Sequence, residues 1–242
     1  MKVKIAYIEE PPFGWTESDQ TATGADVDLA DTVLRAIGVT QIEHHLTTFS
    51  ELLSGVEADR WDMNVPLFVT PERANQVAFS LPVWATGDGF LVRAGNPKTL
   101  KSYALLAERR DARLGIIAGQ VQHESARASG VSEDQIVIFE QQADAIKAVR
   151  SGAIDAYAST ALGNRVLADR IGDSMLEAVE HVPEKNGKPH SPSGAFSFNK
   201  SSGDLLNAVN RQLRLYLGSP DHRARMANFG LTHKEIDPVV VR

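Results

Sequence analysis

Arg73 closes the run Thr70-Pro71-Glu72-Arg73, which reads as a capped first helical turn with proline at the first helical position. A guanidinium fork on a wall that excludes water would hold a carboxylate through two parallel charge-assisted hydrogen bonds. Taken alone, the same arginine better suits a helix surface, paired with a neighbouring glutamate. Gly119-Gln120-Val121-Gln122-His123 lies between an expected strand and an expected helix. Backbone N–H groups at a helix start suit an anion, and the Gln120 amide offers both a donor and an acceptor. Gln122 and His123 are expected on the helix surface. Glu10 is a carboxylate set among aromatics, with Phe13 and Trp15 close by in sequence. It could serve as a general acid of tuned pKa or as the partner of a cation. His123 and Glu124 lack a third metal-ligating neighbour. His44 and His45 fall on one strand with a side chain on each face. No metal and no cofactor are expected.

The elements that must position these groups belong to a chain of 242 residues and 26.3 kDa, enough for one large domain or two small lobes. Twenty-five Lys and Arg stand against 31 Asp and Glu, a net charge of −6. That balance argues against nucleic acid or an anionic membrane as partner, since both require a basic patch. Cysteine is absent, which excludes disulfides, thiolate catalysis and Cys-ligated zinc. No apolar run approaches the ~20 residues of a membrane span. The chain opens on an alternating, strand-like run, 2–8, with neither the basic nor the apolar region of a signal peptide. It is therefore cytoplasmic, or its leader has been removed.

Strand and helix signals alternate along the chain. A helix is expected over 25–37, a strand over 41–46, and a helix over 49–56 with Thr48 as N-cap and Glu51 at capping-box distance. Strands follow at 63–69, 77–80 and 90–93. The middle repeats the scheme: strand 113–118, helix 121–128, strand 136–139, helix 143–151, strand 154–158. The stretch 184–193 reads as a loop, 195–198 as a strand, and 205–217 and 220–228 as helices. Short links between alternating elements predict a mostly parallel sheet flanked by helices. Two such blocks, with Gly-bearing crossings near 83–87 and 191–195, predict two lobes: lobe 1 from 1–84 and 195–242, lobe 2 from 85–194.

Four blocks carry a family resemblance, in order and across nearly the whole chain. They are the opening strand ending in Pro11-Pro12-Phe13; Gly24-Ala25-Asp26-Val27-Asp28-Leu29-Ala30; Thr70-Pro71-Glu72-Arg73 followed by Phe79-Ser80-Leu81-Pro82; and Ser151-Gly152-Ala153-Ile154-Asp155-Ala156. Together they resemble the type-3 extracytoplasmic solute-binding proteins of amino-acid ABC importers. Ala25 departs from the larger apolar residue usual there. The resemblance implies an α/β, two-lobe periplasmic-binding-protein-like fold of type II, with a ligand cleft between the lobes. It implies a ligand carboxylate held by Arg73, an ABC permease in the membrane as partner, a monomeric receptor without catalysis, and an extracytoplasmic location after removal of a leader.

The resemblance also locates the ligand's other end. Amino-acid members carry an acid five positions after the residue matching Asp155, where it takes the ligand's α-ammonium; here that position is the neutral Thr160. An ammonium desolvated without a counter-charge is costly, so a plain α-amino acid is disfavoured unless its cation is met elsewhere. Asp155 itself reads as structural. Positions matching Glu10, Phe13 and Phe49 line the side-chain end in relatives, and Phe68 replaces a small hydroxyl residue at its strand end. Aromatic faces attract a delocalised cation by roughly 0.5–2 kcal/mol each. Trp61 and Trp84 read as packing or hinge residues. Glu10, the Pro-Pro-Phe run, Phe68 and Arg73 together resemble the ectoine- and hydroxyectoine-binding branch, whose ligand is a cyclic amidinium carboxylate. Alternatives are a binding protein for a polar amino acid or its derivative, a dehydratase on the same scaffold using Glu10 as acid, and a sensor domain of a larger regulator.

Overall fold

The computed structural model describes residues 1–172, 174–182 and 192–240. The chain is mixed α/β and divides into two compact units, Met1–Ala85 with Pro192–Arg242, and Thr86–Ser191. It leaves unit 1 after Ala85 and returns at Pro192.

Unit 1 is built on strands β1 (Lys2–Tyr7), β4 (Gln41–Leu46), β5 (Met63–Phe68), β6 (Ala78–Phe79), β7 (Trp84–Ala85) and β13 (Ser193–Phe198), with a small hairpin of β2 (Trp15–Thr16) and β3 (Ala22–Thr23). The order is β4-β1-β5-β13-β6, and β7 also pairs with β13. The β4-β1-β5 half is parallel, while β13 runs antiparallel to β5, β6 and β7. β5 is buried at every position, as its uninterrupted apolar run requires of a central strand. The helices are α1 (Ala25–Ala36), α2 (Leu52–Glu57), α3 (Pro71–Ala74), α8 (Gly203–Tyr216), α9 (Pro220–Ala227) and α10 (His233–Ile236). Ala6, Leu52, Val56, Trp61, Leu67 and Val77 form one core cluster, with Phe49 packed against it.

Unit 2 holds β8 (Asp88–Arg93), β9 (Leu114–Ile117), β10 (Ile136–Phe139), β11 (Ala156–Thr160) and β12 (Leu176–Glu180), with α4 (Tyr103–Glu108), α5 (Gln122–Ala128), α6 (Gln142–Ser151) and α7 (Ala161–Ile171). The sheet order is β10-β9-β11-β8-β12. β10, β9 and β11 are parallel; β8 and β12 are antiparallel additions. Each sheet is thus a parallel three-strand half extended by antiparallel strands, rather than parallel throughout. Phe90, Leu100, Tyr103, Leu106, Leu114 and Ile116 form the centre of this unit's core.

Two local expectations need correction. Thr48 makes no side-chain cap; its hydroxyl meets Ser50, and Glu51 pairs instead with Arg60 at 2.8 Å. Helix α7 and strand β12 stand where no element was expected. The loop expected over 184–193 lies outside the described residues except for its last two positions.

Candidate functional site

In each unit, parallel strands deliver the candidate residues from their carboxyl ends, the edge at which open α/β sheets bind ligands. In unit 1, Phe49 follows β4, Glu10 and Phe13 follow β1, Phe68 is the last residue of β5, and Arg73 lies in α3 just beyond it. In unit 2, Gln120 follows β9 and Thr160 ends β11.

The turn carrying Glu10 and Phe13 is closed by backbone hydrogen bonds, Glu10 N–H to Gly14 at 2.8 Å and Phe13 N–H to Glu10 at 2.9 Å. It is also locked onto α1. The carbonyls of Pro12 and Phe13 accept from the N–H groups of Ala25 and Asp26, each at 2.9 Å, satisfying donors that a helix start leaves open. Gly24 makes this approach possible: its φ is +125°, and a Cβ there would overlap the Phe13 carbonyl. The Gly24-Ala25-Asp26 block therefore acts on the site by seating the turn.

Thr70 caps α3, its hydroxyl accepting from Arg73 N–H at 3.2 Å, with Pro71 at the first helical position. Arg73 is only 7% exposed. Its Nη1 donates to the Phe68 carbonyl at 2.9 Å, and its guanidinium carbon lies 5.3 Å from the centre of the Phe49 ring. Burial pulls the guanidinium down to about 10, with Glu72 opposing, so it is still a cation at neutral pH.

Trp84 joins the two phenyl rings. It is 5.2 Å from Phe13 and stands edge-on to Phe68 at 5.4 Å. Its indole Nε1 donates to Asp26 Oδ1 at 2.9 Å, and its ring lies where a Cβ on Gly194 would be. Burial raises the Asp26 carboxyl well above the usual range, the Trp84 bond opposes this, and the charge of Glu10 adds to it. Phe49 and Phe68 thus meet Arg73, and Phe68 is linked to Phe13 and to the charge of Glu10 through Trp84 and Asp26. Neither of those two was expected at the site. Trp84, expected as a packing or hinge residue, packs against both Phe13 and Phe68. Trp61 packs in the core and donates to Asn64 at 2.5 Å, and Trp15 stands edge-on to Phe229.

In unit 2, Gln120 and Thr160 are both buried. Thr160 is the N-cap of α7, its hydroxyl accepting from Gly163 N–H at 2.9 Å. Gln122 is not on the helix surface: it is buried and donates to Asp88 at 2.8 Å. His123 faces Glu133 at 3.3 Å. Asp155 accepts from Lys98 at 3.0 Å and from the Arg113 N–H at 2.9 Å, a knot that ties the base of β11. Among the described residues no cluster of three metal-ligating side chains occurs.

The family model of the bacterial extracellular solute-binding proteins, family 3, matches residues 3–219. The chain belongs to this family. A probable amino-acid ABC transporter periplasmic-binding protein, y4tE of Sinorhizobium fredii (strain NBRC 101917 / NGR234), is 32% identical over 237 residues, 97% of this chain and 78% of that protein. The L-cystine-binding protein TcyJ of Escherichia coli (strain K12) is 26% identical over 208 residues, 83% of this chain and 71% of TcyJ. Among solved structures, EhuB in complex with hydroxyectoine superposes with a TM-score of 0.87 at 25% identity, covering 99% of this chain and 94% of EhuB. An ancestral arginine-binding protein bound to arginine matches with a TM-score of 0.80 at 21% identity over 94% of this chain and 97% of that one, a likeness of fold.

As a family 3 member the chain has the two-lobe periplasmic-binding-protein fold of these relatives and is the solute-binding component of an amino-acid-type ABC importer. Members of the family bind small solutes and present them to a permease. The two curated relatives are described as binding proteins. No helix among the described residues is long and apolar enough to cross a membrane.

Proposed function

We propose that this protein captures a small zwitterionic solute in the periplasm, with ectoine and hydroxyectoine first among ligands, and presents it as a monomer to its permease. Arg73 takes the carboxylate. Phe13, Phe49 and Phe68 with Glu10 surround the delocalised cation, and Gln120 and Thr160 add polar contacts from unit 2. The observation that carries this reading is the buried guanidinium of Arg73, 5.3 Å from the Phe49 ring and bonded to the Phe68 carbonyl. A cation kept out of water beside aromatic walls is matched by a carboxylate. The hydroxyectoine-bound EhuB supports the choice of ligand. Micromolar affinity, about −8 kcal/mol, spread over roughly ten heavy atoms is within reach of so small a ligand.

A polar amino acid or a derivative is the second reading, favoured by the relatives described as amino-acid- and cystine-binding. Calorimetry with ectoine, hydroxyectoine, L-arginine, L-glutamine and L-cystine separates the two. The first reading expects heat with ectoine or hydroxyectoine, lost in Arg73→Ala. Binding of amino acids alone selects the second. Affinity retained within tenfold in Arg73→Ala rejects the carboxylate role. Turnover of cyclic hydroxy acids, followed by mass spectrometry, is expected to be absent and would instead favour a dehydratase.

A further inference from the structure

The neutral Thr160 leaves the solute's cation without the acid that amino-acid-binding relatives are expected to carry at that position. The antiparallel ladder of β11 and β8 sets Asp88 directly opposite Thr160. Residues opposed in this way share one face of the sheet, with Cβ atoms about 5 Å apart. From the register of this ladder and the chemistry of its neighbours we infer that Asp88 is the anionic contact of unit 2, meeting the cationic end of the bound solute in place of an acid at position 160.

Several observations converge on it. Thr160 can supply no charge, and its hydroxyl is engaged as the cap of α7. Asp88 is only partly buried, at the sheet edge where Gln120 and Thr160 also emerge. Its two oxygens accept from separate neutral donors, Oδ2 from the Tyr103 hydroxyl at 2.9 Å and Oδ1 from the Gln122 amide at 2.8 Å. Burial raises the Asp88 carboxyl above the usual carboxylate range, these two hydrogen bonds and the charge of His181 oppose it, and each oxygen keeps a second lone pair for a ligand. Tyr103 and Gln122 are both buried, so the carboxylate is held from behind by rigid groups. Among the described residues no Lys or Arg forms an ion pair with it. His181 is the titratable neighbour: its ring packs on Tyr103 at 4.9 Å, and burial lowers its pKa against the pull of Asp88. The result is a partly buried carboxyl group with oriented donors and, among the described residues, no Lys or Arg partner, an arrangement favourable to an arriving cation.

This inference rests on the zwitterion reading, and the experiment distinguishes the failure of each. Wild type, Asp88→Asn, Tyr103→Phe, Arg73→Ala and the swap Asp88→Asn/Thr160→Asp are titrated with the same five solutes, with circular dichroism to verify folding. Asp88→Asn is expected to bind at least tenfold more weakly to every solute the wild type binds, while Tyr103→Phe stays within threefold. The swap, which moves the carboxylate one position across the ladder and retains a capping residue at 160, is expected to return affinity to within tenfold of wild type. Affinity within threefold in Asp88→Asn overturns the assignment, as do equal losses in Asp88→Asn and Tyr103→Phe, or a folded swap no better than Asp88→Asn. If Asp88→Asn does not fold, the folded swap decides by itself: binding within tenfold supports the assignment, and weaker binding overturns it. Retained binding in Arg73→Ala, or no binding of any solute by wild type, overturns the zwitterion reading instead.

Discussion

Asp26 holds Trp84 from beneath: the indole Nε1 donates to Asp26 Oδ1 at 2.9 Å, while Asp26 Oδ2 has no hydrogen-bond partner. The carboxyl is 1% exposed, and burial drives its pKa upward, against the bond from Trp84. One bond thus orients the ring against which both Phe13 and Phe68 pack. Three of the aromatic rings around the candidate site inherit their positions from a residue at the start of α1.

Asp26→Asn is expected to bind solute within about threefold of wild type, because its amide oxygen still accepts from the indole. Asp26→Ala is expected to weaken binding by about tenfold and to shift tryptophan emission, since one hydrogen bond of about 1 kcal/mol is lost and a buried N–H is left unpaired. Calorimetry and fluorescence on the folded variants test the pair. Equal behaviour of the two would refute the orienting role.

Phe68→Ala is expected to weaken binding by at least ~1 kcal/mol, about fivefold, if its ring stands against the solute's cation. Cavity formation will also lower stability by roughly 3–5 kcal/mol, so folding must be verified before titration. An unchanged dissociation constant would return Phe68 to the core.

Gly194→Ala is expected to be destabilising although it adds only a methyl group. The new Cβ would overlap the Trp84 ring, which must then shift away from Asp26. Overpacking of this kind typically lowers stability by about 1–3 kcal/mol. The thermal midpoint and the affinity should fall together. A loss in one alone would separate the ring's packing from its place at the site.

His222 predicts an acid-sensitive stability. It is fully buried in α9, its Nδ1 accepts from Gly218 N–H at 3.1 Å, and burial pulls its pKa from 6.5 to about 4. The folded form therefore keeps the ring neutral where the unfolded chain would take up a proton. Stability is full above pH 6.5 and falls as pH drops toward 4, by about 3 kcal/mol in total. Urea unfolding at pH 7.5 and pH 4.5 measures this directly. His222→Gln should show a shallower slope across that window, and an identical slope would show that other groups carry it.

The elements legible in the sequence were those that local chemistry decides. β5 is an uninterrupted apolar run, Thr70-Pro71 starts α3 by capping and fixed φ, and the apolar stripe of α1 is periodic. What escaped depends on distant partners. α7 contains Gly163 and Asn164, both poor helix formers, and stands because Thr160 caps it and the sheet of unit 2 covers it. β12, Leu-Glu-Ala-Val-Glu, has weak strand character and is a strand because β8 offers it an edge. At the site, Arg73 and Phe68 were readable from one short segment. Trp84 beside Phe13 and Gln122 turned inward to Asp88 were not, since their partners lie 71 and 34 positions away in sequence.

The insertion of β13 between β5 and β6 dictates an order of assembly. The first 85 residues emerge with β5 lacking its neighbour, which is not synthesised until Ser193–Phe198. The second unit, whose five strands lie between Asp88 and Glu180, has all its pairing partners sooner. A nascent chain therefore carries an open apolar strand edge through most of its synthesis. Any factor that shields it from aggregation must stay on the amino-terminal segment until Ser193–Phe198 is free to pair with β5.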